Sequence, residues 1–184
     1  MTGMLSAAQE DQFWVFHQKT SQGLFRKAFR MCGGHRADAE DALQRAYLKA
    51  IEHWVTVEGL ADQQRYAWMV TTLSREVLQI WRTPYRTRET VSYEDIGGSP
   101  GAATGTSADD PLGARDRYHQ ACRAIAKLKG RQSLIMILHC IAGYEISEVA
   151  EMLEISAGTV RVHLHDGRTR LQAMIERERG TAHD

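Results

Sequence analysis

The side chains best suited to chemistry in this chain of 184 residues lie in one segment near its C-terminal end. Their hydroxyl, guanidinium and imidazole groups can donate hydrogen bonds to phosphate oxygens or to base edges in a DNA major groove. The residues assigned to this surface are Ser156, Thr159, Arg161, Val162, His163, His165 and Arg168. The segment therefore predicts a surface that binds double-stranded DNA, although a single charge such as Arg161 is also typical of an ordinary solvated surface.

The apolar residues around this segment have the spacing of a helix-turn-helix. Residues 146, 149, 150 and 153 mark one face of a short helix, and the small side chain of Ala150 allows a second helix to cross closely. Ser156 is a typical N-cap for that second helix, which continues through Val160 and Leu164. An ordinary helical hairpin is the alternative interpretation.

Two pairs of metal-binding residue types lie far apart in the sequence. Cys32-x-x-His35 and His119-x-x-Cys122 each contain half of a zinc-like ligand set. Neither pair is diagnostic, so we predict no metal ion and no cofactor. A helical metal-dependent enzyme built on these four residues is an alternative that metal analysis would test.

Helical periodicity predicts an all-α fold. In the first part of the chain we predict a helix opened by Ser6 or an adjacent residue, a second over about 21–32 that ends at Gly33-Gly34, a third capped by Asp38 and reaching about Trp54, and a fourth over about 66–82. In the second part we predict helices over 118–128 and 131–141, a break at Gly143, and a short helix capped by Ser147 before the turn.

The segment between these two parts has the composition of a linker. It contains all three prolines, Pro84, Pro100 and Pro111, together with a tract rich in Gly, Ser, Ala and Thr at 97–108. We therefore predict two small helical domains, at 1–83 and 117–184, joined by a flexible acidic linker at 84–116.

The charge and hydropathy of the chain limit its partners and location. Its formal net charge is zero, whereas phosphate binding usually requires a basic surface. We expect weak binding to free duplex DNA and a partner that supplies most of the affinity. The sequence has no run of eighteen apolar residues and no signal-peptide pattern at its start, so we expect a cytoplasmic protein with no membrane insertion.

Three segments together resemble the extracytoplasmic-function, or group IV, sigma factors of bacterial RNA polymerase. Residues 155–161 with His165 and 168–171 are similar to the family's promoter-reading segment, 38–50 to its polymerase-binding helix, and 67–82 to the helix that opens and reads the minus-10 element. The resemblance implies a non-catalytic protein that binds core RNA polymerase through a region 2-like domain and reads minus-35 promoter DNA through a region 4-like domain. It also implies an anti-sigma factor as a further partner.

The resemblance assigns polymerase binding to the start of the third predicted helix. Carboxylates there fit an arginine-rich protein surface. The residues assigned to it are Asp38, Glu40, Asp41, Gln44 and Tyr47. The three acids also complement the positive end of a helix dipole, and both roles can hold together.

The minus-10 contacts are expected around the start of the fourth predicted helix. Tyr66 and Trp68 are aromatic side chains on which the bases of a melted strand can stack, and Arg65, Arg75 and Arg82 fit phosphate contacts. Trp68 fits the helical core equally well. In the family, base specificity depends strongly on the loop before this helix, here 56–64.

Several positions depart from the family pattern. Ser74-Arg75 stands where Arg-Asn is common, Val162-His163 replaces the usual Ser-Arg, and Asp166 stands where Arg is common. These differences remove positive charge and leave the promoter sequence open. The alternative function is an autonomous helix-turn-helix transcription regulator, which would bind duplex DNA tightly and specifically without a polymerase.

Overall fold

The computed structural model describes residues 5–83 and 111–180, and all the regular structure in these ranges is helical. The first half contains α1 (Ala7–Met31), α2 (Arg36–Glu52), α3 (Trp54–Val57) and α4 (Asp62–Arg82). The second half contains α5 (Pro111–Lys127), α6 (Arg131–Met136), a π-helical turn (Ile137–Ile141), α7 (Ile146–Leu153) and α8 (Ala157–Gly180). The predicted all-α fold class is confirmed, and residues 84–110 of the predicted linker lie outside the described residues.

Helix α1 is continuous, so the prediction of a separate helix over 21–32 is wrong. Ser6 caps it as predicted, because its hydroxyl accepts a hydrogen bond from the Gln9 N–H and its own N–H donates to the Gln9 side chain. The polar residues in its middle interrupt the apolar pattern but do not break the helix. Thr20 donates to the Phe16 carbonyl one turn earlier, which satisfies its hydroxyl within α1. Gly33-Gly34, both at positive φ, follows the helix end as predicted.

Helix α2 begins at Arg36, so the predicted cap at Asp38 is wrong. His35 occupies the cap position, where its Nδ1 accepts a hydrogen bond from the Asp38 backbone N–H at 3.3 Å. Asp38 instead lies in the first turn, where a carboxylate complements the helix dipole. One face of α2 consists of small buried side chains that let it pack against α1 and α4; these are Ala39, Ala42, Ala46 and Ala50.

Helix α4 begins at Asp62, earlier than the predicted start near Tyr66, and ends at Arg82 as predicted. The Gln64 side chain accepts a hydrogen bond from the Ala61 backbone N–H at this early start. Residues 69–74 and 76–78 are all buried, because the first half covers one side of α4 and the second half covers another. Arg75 and Gln79 are exposed on the same stretch.

The second half contains the predicted helix-turn-helix, formed by α7 and α8. Gly143, at φ +80°, precedes α7 as predicted. The predicted cap at Ser147 is wrong, because α7 already begins at Ile146 and the Glu148 carboxylate accepts a hydrogen bond from the Glu145 N–H at 2.7 Å. The helix predicted over 131–141 is α-helical only as far as Met136, and the π-helical turn follows it.

The two halves pack directly against each other. Helix α4 contacts α5, α6 and α7, and the buried side chains of both halves form one core. The Tyr118 hydroxyl donates to the Arg30 and Met31 carbonyls at the end of α1, at 2.7 and 3.1 Å. Lys27 Nζ lies 4.5 Å from the centroid of the Tyr144 ring. Residues 111–116, which the sequence assigns to the linker, are the first part of α5.

Candidate nucleic-acid and protein interfaces

The first turns of α8 carry the residues predicted to bind duplex DNA. Ser156 Oγ accepts a hydrogen bond from the Thr159 backbone N–H at 3.0 Å, which confirms the predicted cap. The exposed members of the set are Ser156, Thr159, Arg161, Val162, His165 and Arg168, whereas His163 is half-buried. Val162 is 59% exposed, so an apolar side chain lies within the donor surface. Such a side chain can contact a thymine methyl group.

Helix α8 is held against α6 by two residues that the sequence analysis did not select. The buried Gln132 side chain donates to the His163 carbonyl at 3.4 Å and accepts a hydrogen bond from Arg170 at 2.9 Å. At Gly167, an added Cβ would lie 2.8 Å from Met136 Sδ, so glycine permits the close approach of the two helices. An isolated glycine inside a helical pattern is the signal that could have identified this position.

The acidic surface of α2 is exposed and internally paired. Glu40 bonds to Arg36 at 2.7 Å, and Asp41 bonds to Arg45 at 2.8 Å, in pairs that share the surface of the helix. Gln44 is also exposed. These side chains are therefore accessible to a partner that can compete for the two carboxylates.

Two other residues of the predicted polymerase-binding set lie deeper. Tyr47 is buried in the core, its hydroxyl lies 2.9 Å from Thr20 Oγ1, and burial raises its pKa. Asp38 lies 3.3 Å from Nδ1 of His35 and is largely covered. Both residues therefore lie beneath the exposed acidic surface of α2.

Arg65 binds the segment that connects α3 to α4. Its Nε donates to the Val57 carbonyl at 3.1 Å, and its Nη2 donates to the Glu58 and Leu60 carbonyls at 2.6 and 2.9 Å. The side chain is 17% exposed. Its donors are therefore used within the protein.

The remaining residues predicted to contact the minus-10 element have different surroundings. Tyr66 and Trp68 are half-buried, and burial raises the pKa of Tyr66. Arg75 is exposed on α4. Arg82 donates to the Ala126 carbonyl at 3.1 Å and to Ser133 Oγ at 3.4 Å, and both of these partners belong to the second half.

Comparisons with known proteins cover most of the chain. The family model "Sigma-70, region 4" matches residues 120–171, from α5 into α8. The ECF RNA polymerase sigma factor SigL of Mycobacterium tuberculosis is 29% identical over 160 residues, which are 87% of this chain and 86% of SigL. The ECF RNA polymerase sigma factor SigJ of the same species is 32% identical over 144 residues, which are 76% of this chain and 44% of SigJ. Along most of its length the chain is thus similar to extracytoplasmic-function sigma factors, which supports a sigma factor role in transcription initiation.

A solved structure similar to this sigma factor is that of the sigma factor RpoE in complex with the anti-sigma factor NepR from Bartonella quintana. The TM-score is 0.45 and the sequence identity is 20%, over 88% of this chain and 96% of that one. Sigma factors are non-enzymatic DNA-binding regulators, and the role of this chain is in transcription initiation.

The two cysteine and histidine pairs are the candidates for metal binding in the sequence. Within the two described ranges, no group of three or more His, Cys, Asp or Glu side chains is placed to hold a metal ion. Cys32 and Cys122 are both buried and line the same cavity between the halves. Burial raises the pKa of Cys122 to about 12. Its thiol therefore keeps its proton at neutral pH.

An open groove of about 680 Å³ lies between α1 of the sigma factor and the start of α4. Its polar lining includes Asp11, Lys19, Glu58, Asp62, Arg65 and Tyr66. The groove thus lies beside the residues predicted to contact the minus-10 element. None of the described helices of the sigma factor has the length and apolar character needed to cross a membrane.

Proposed function

We propose that this sigma factor binds core RNA polymerase and directs it to promoters that contain a minus-35 and a minus-10 element. The position of α8 supports the proposal best. This capped helix packs against α6 through Gln132 and the close approach at Gly167, and it exposes donor side chains along its first turns. This arrangement fits the major groove of duplex DNA. We assign the minus-35 contacts to Ser156, Thr159, Arg161, Val162, His163, His165 and Arg168.

In this proposal the first domain, residues 1–83, binds polymerase and the melted minus-10 strand. Glu40, Asp41 and Gln44 form the accessible part of the polymerase surface, with Asp38 and Tyr47 behind it. Tyr66 and Trp68 offer aromatic faces to unstacked bases, and the exposed guanidinium of Arg75 fits a phosphate contact. The second domain, predicted as 117–184, reads the minus-35 element, and residues 84–110 join α4 to α5.

The sigma factor needs no catalytic activity of its own for this function. Polymerase supplies the chemistry, while the sigma factor supplies promoter contacts, which places its action in the cytoplasm with the enzyme. An anti-sigma factor that covers the same surfaces would hold it inactive. The zero net charge supports a division of labour in which polymerase provides much of the affinity for DNA.

Run-off transcription with core polymerase and a randomised promoter library tests the proposal. We expect promoter-specific transcripts when both the sigma factor and core polymerase are present, and two separate blocks of enriched sequence in the templates used. Core polymerase alone is the control. Tight, specific duplex binding by the isolated chain, without any effect on core polymerase, would contradict the proposal and favour an autonomous regulator.

A further inference from the structure

The planar guanidinium group of Arg65 contacts other groups of the protein along its edges and on its faces. Its edge donors bind the three carbonyls within residues 57–60. Its guanidinium carbon lies 5.6 Å from the centroid of the Phe16 ring and 5.7 Å from that of the Trp54 ring, distances at which a cation and an aromatic ring attract each other. The Asp62 carboxylate lies 3.5 Å from Nη1. A contact with a DNA phosphate would have to replace these interactions.

The carbonyls bound by Arg65 belong to a helix end that is weak by itself. Val57 is the last residue of α3 and Glu58 follows it, and the last carbonyls of a helix have no partners within that helix. Helix α3 has four residues, which is too short for stability without outside support. Charge-assisted hydrogen bonds from a planar guanidinium provide that support.

The segment held by Arg65 forms part of the groove beside α4. Glu58 and Asp62 line this groove together with Tyr66, which carries one of the proposed minus-10 contacts. A shift of residues 57–61 would therefore change the shape and charge of the surface that a melted strand meets.

We propose that Arg65 is a positioning residue for minus-10 recognition, which fixes residues 57–61 at the edge of the groove and does not itself contact phosphate. This role rests on the proposed function. Its consequence is that Arg65 controls discrimination among minus-10 bases, while discrimination at the minus-35 element is independent of it.

The variants Arg65→Lys and Arg65→Met separate positioning from a phosphate contact. Lysine keeps the charge but lacks the planar fork that reaches three carbonyls. We expect both variants to lower the preference for the best minus-10 base by roughly tenfold in run-off transcription, with the minus-35 preference retained. Arg26→Lys and Arg26→Met, at an exposed site on α1 outside the proposed contacts, are the matched controls. There we expect both variants to leave the minus-10 and minus-35 preferences unchanged.

Hydrogen exchange provides a readout that does not depend on transcription. We expect the backbone amides of 58–61 to exchange roughly tenfold faster in Arg65→Lys than in the wild type, with α8 unchanged. Full minus-10 discrimination by Arg65→Lys, equal loss at both promoter elements, or unchanged exchange would each overturn the positioning role. If the wild-type chain directs no promoter-specific transcription, the proposed function fails instead.

Discussion

At the scale of single residues, side chains of one type have different tasks in this protein. Arg75 and Arg161 are exposed, whereas Arg65 and Arg82 donate to groups of the protein itself. Exposed guanidinium groups can bind phosphate or base edges without breaking an internal bond. We therefore expect substitutions of the exposed arginines to affect DNA binding, and substitutions of the internal ones to affect structure first.

Arg161→Ala tests the DNA surface of α8. We expect the substitution to weaken recognition of the minus-35 element by about 1–3 kcal/mol and to relax the preference at one base pair, because a guanidinium that reads a base carries specificity. Transcription from promoters with single substitutions in the minus-35 element measures this effect. Arg26→Ala, at an exposed site on α1, is the control and should leave promoter selection unchanged. Unaltered selection by Arg161→Ala would contradict its assigned role.

We expect the buried thiol of Cys122 to lower the free energy of unfolding at alkaline pH. Burial raises the pKa of its thiol from 9.0 to about 12, because the thiolate is poorly solvated there. The buried neutral thiol makes its full contribution to the free energy of unfolding below about pH 9. This contribution is lost as the pH rises toward 12, because the thiol ionises at a lower pH in the unfolded chain than in the folded protein. We expect the free energy of unfolding of Cys122→Ser, measured with urea, to fall less steeply than that of the wild type above about pH 9. Equal slopes would contradict this prediction.

At the scale of elements, the ends of helices depend on local signals in some places and on packing in others. Ser6, Ser156 and Gly143 are standard signals, and each marks a boundary that the sequence predicted. The cap at His35 was missed because histidine is not among the usual capping residues. The continuity of α1 was missed because Thr20 satisfies its hydroxyl on the Phe16 carbonyl, a contact that the pattern of residue types does not reveal.

The close contact between α6 and α8 leaves no room for a larger side chain at Gly167. Leucine there would overpack against Met136, and we expect Gly167→Leu to lower the free energy of unfolding by about 1–3 kcal/mol. Urea unfolding measures this change. Ala173→Leu, at an exposed site on the same helix, is the matched control and should have a small effect. Equal stability of the two variants would show that the close approach at Gly167 is not maintained in solution.

At the scale of the whole molecule, the packing of the halves was not predictable from the sequence. Its polar contacts join residues that are distant in the chain: Arg82 and Ala126 are separated by 44 positions, and Tyr118 and Arg30 by 88. Helical periodicity reports which residues are buried but not which other helix covers them. This is why the all-α class and the helix-turn-helix were predicted, whereas the internal contacts of Arg65 and Arg82 were not.

Tyr118→Phe tests the contact between the halves. We expect a loss of about 1 kcal/mol in the free energy of unfolding, because two carbonyls at the end of α1 lose their donor, together with a larger radius of gyration in X-ray scattering. Tyr47→Phe removes a hydroxyl contact inside the first half and is the matched control. A radius of gyration that increases in both variants, or in neither, would contradict a specific role of Tyr118.

The hydrogen bonds of Arg82 to the second half also limit how far apart the two halves of one molecule can lie. The two promoter elements differ in position by about 25 base pairs, or on the order of 85 Å of B-form DNA. The halves touch in this structure, so they must separate before a single sigma factor can occupy both elements, and Arg82 must then release Ala126 and Ser133. Residues 84–110 could span at most about 90 Å if fully extended, which is enough chain for such a separation. If the chain reads both elements as proposed, the compact form and the promoter-reading form are mutually exclusive, and the free energy of the contact between the halves opposes promoter binding.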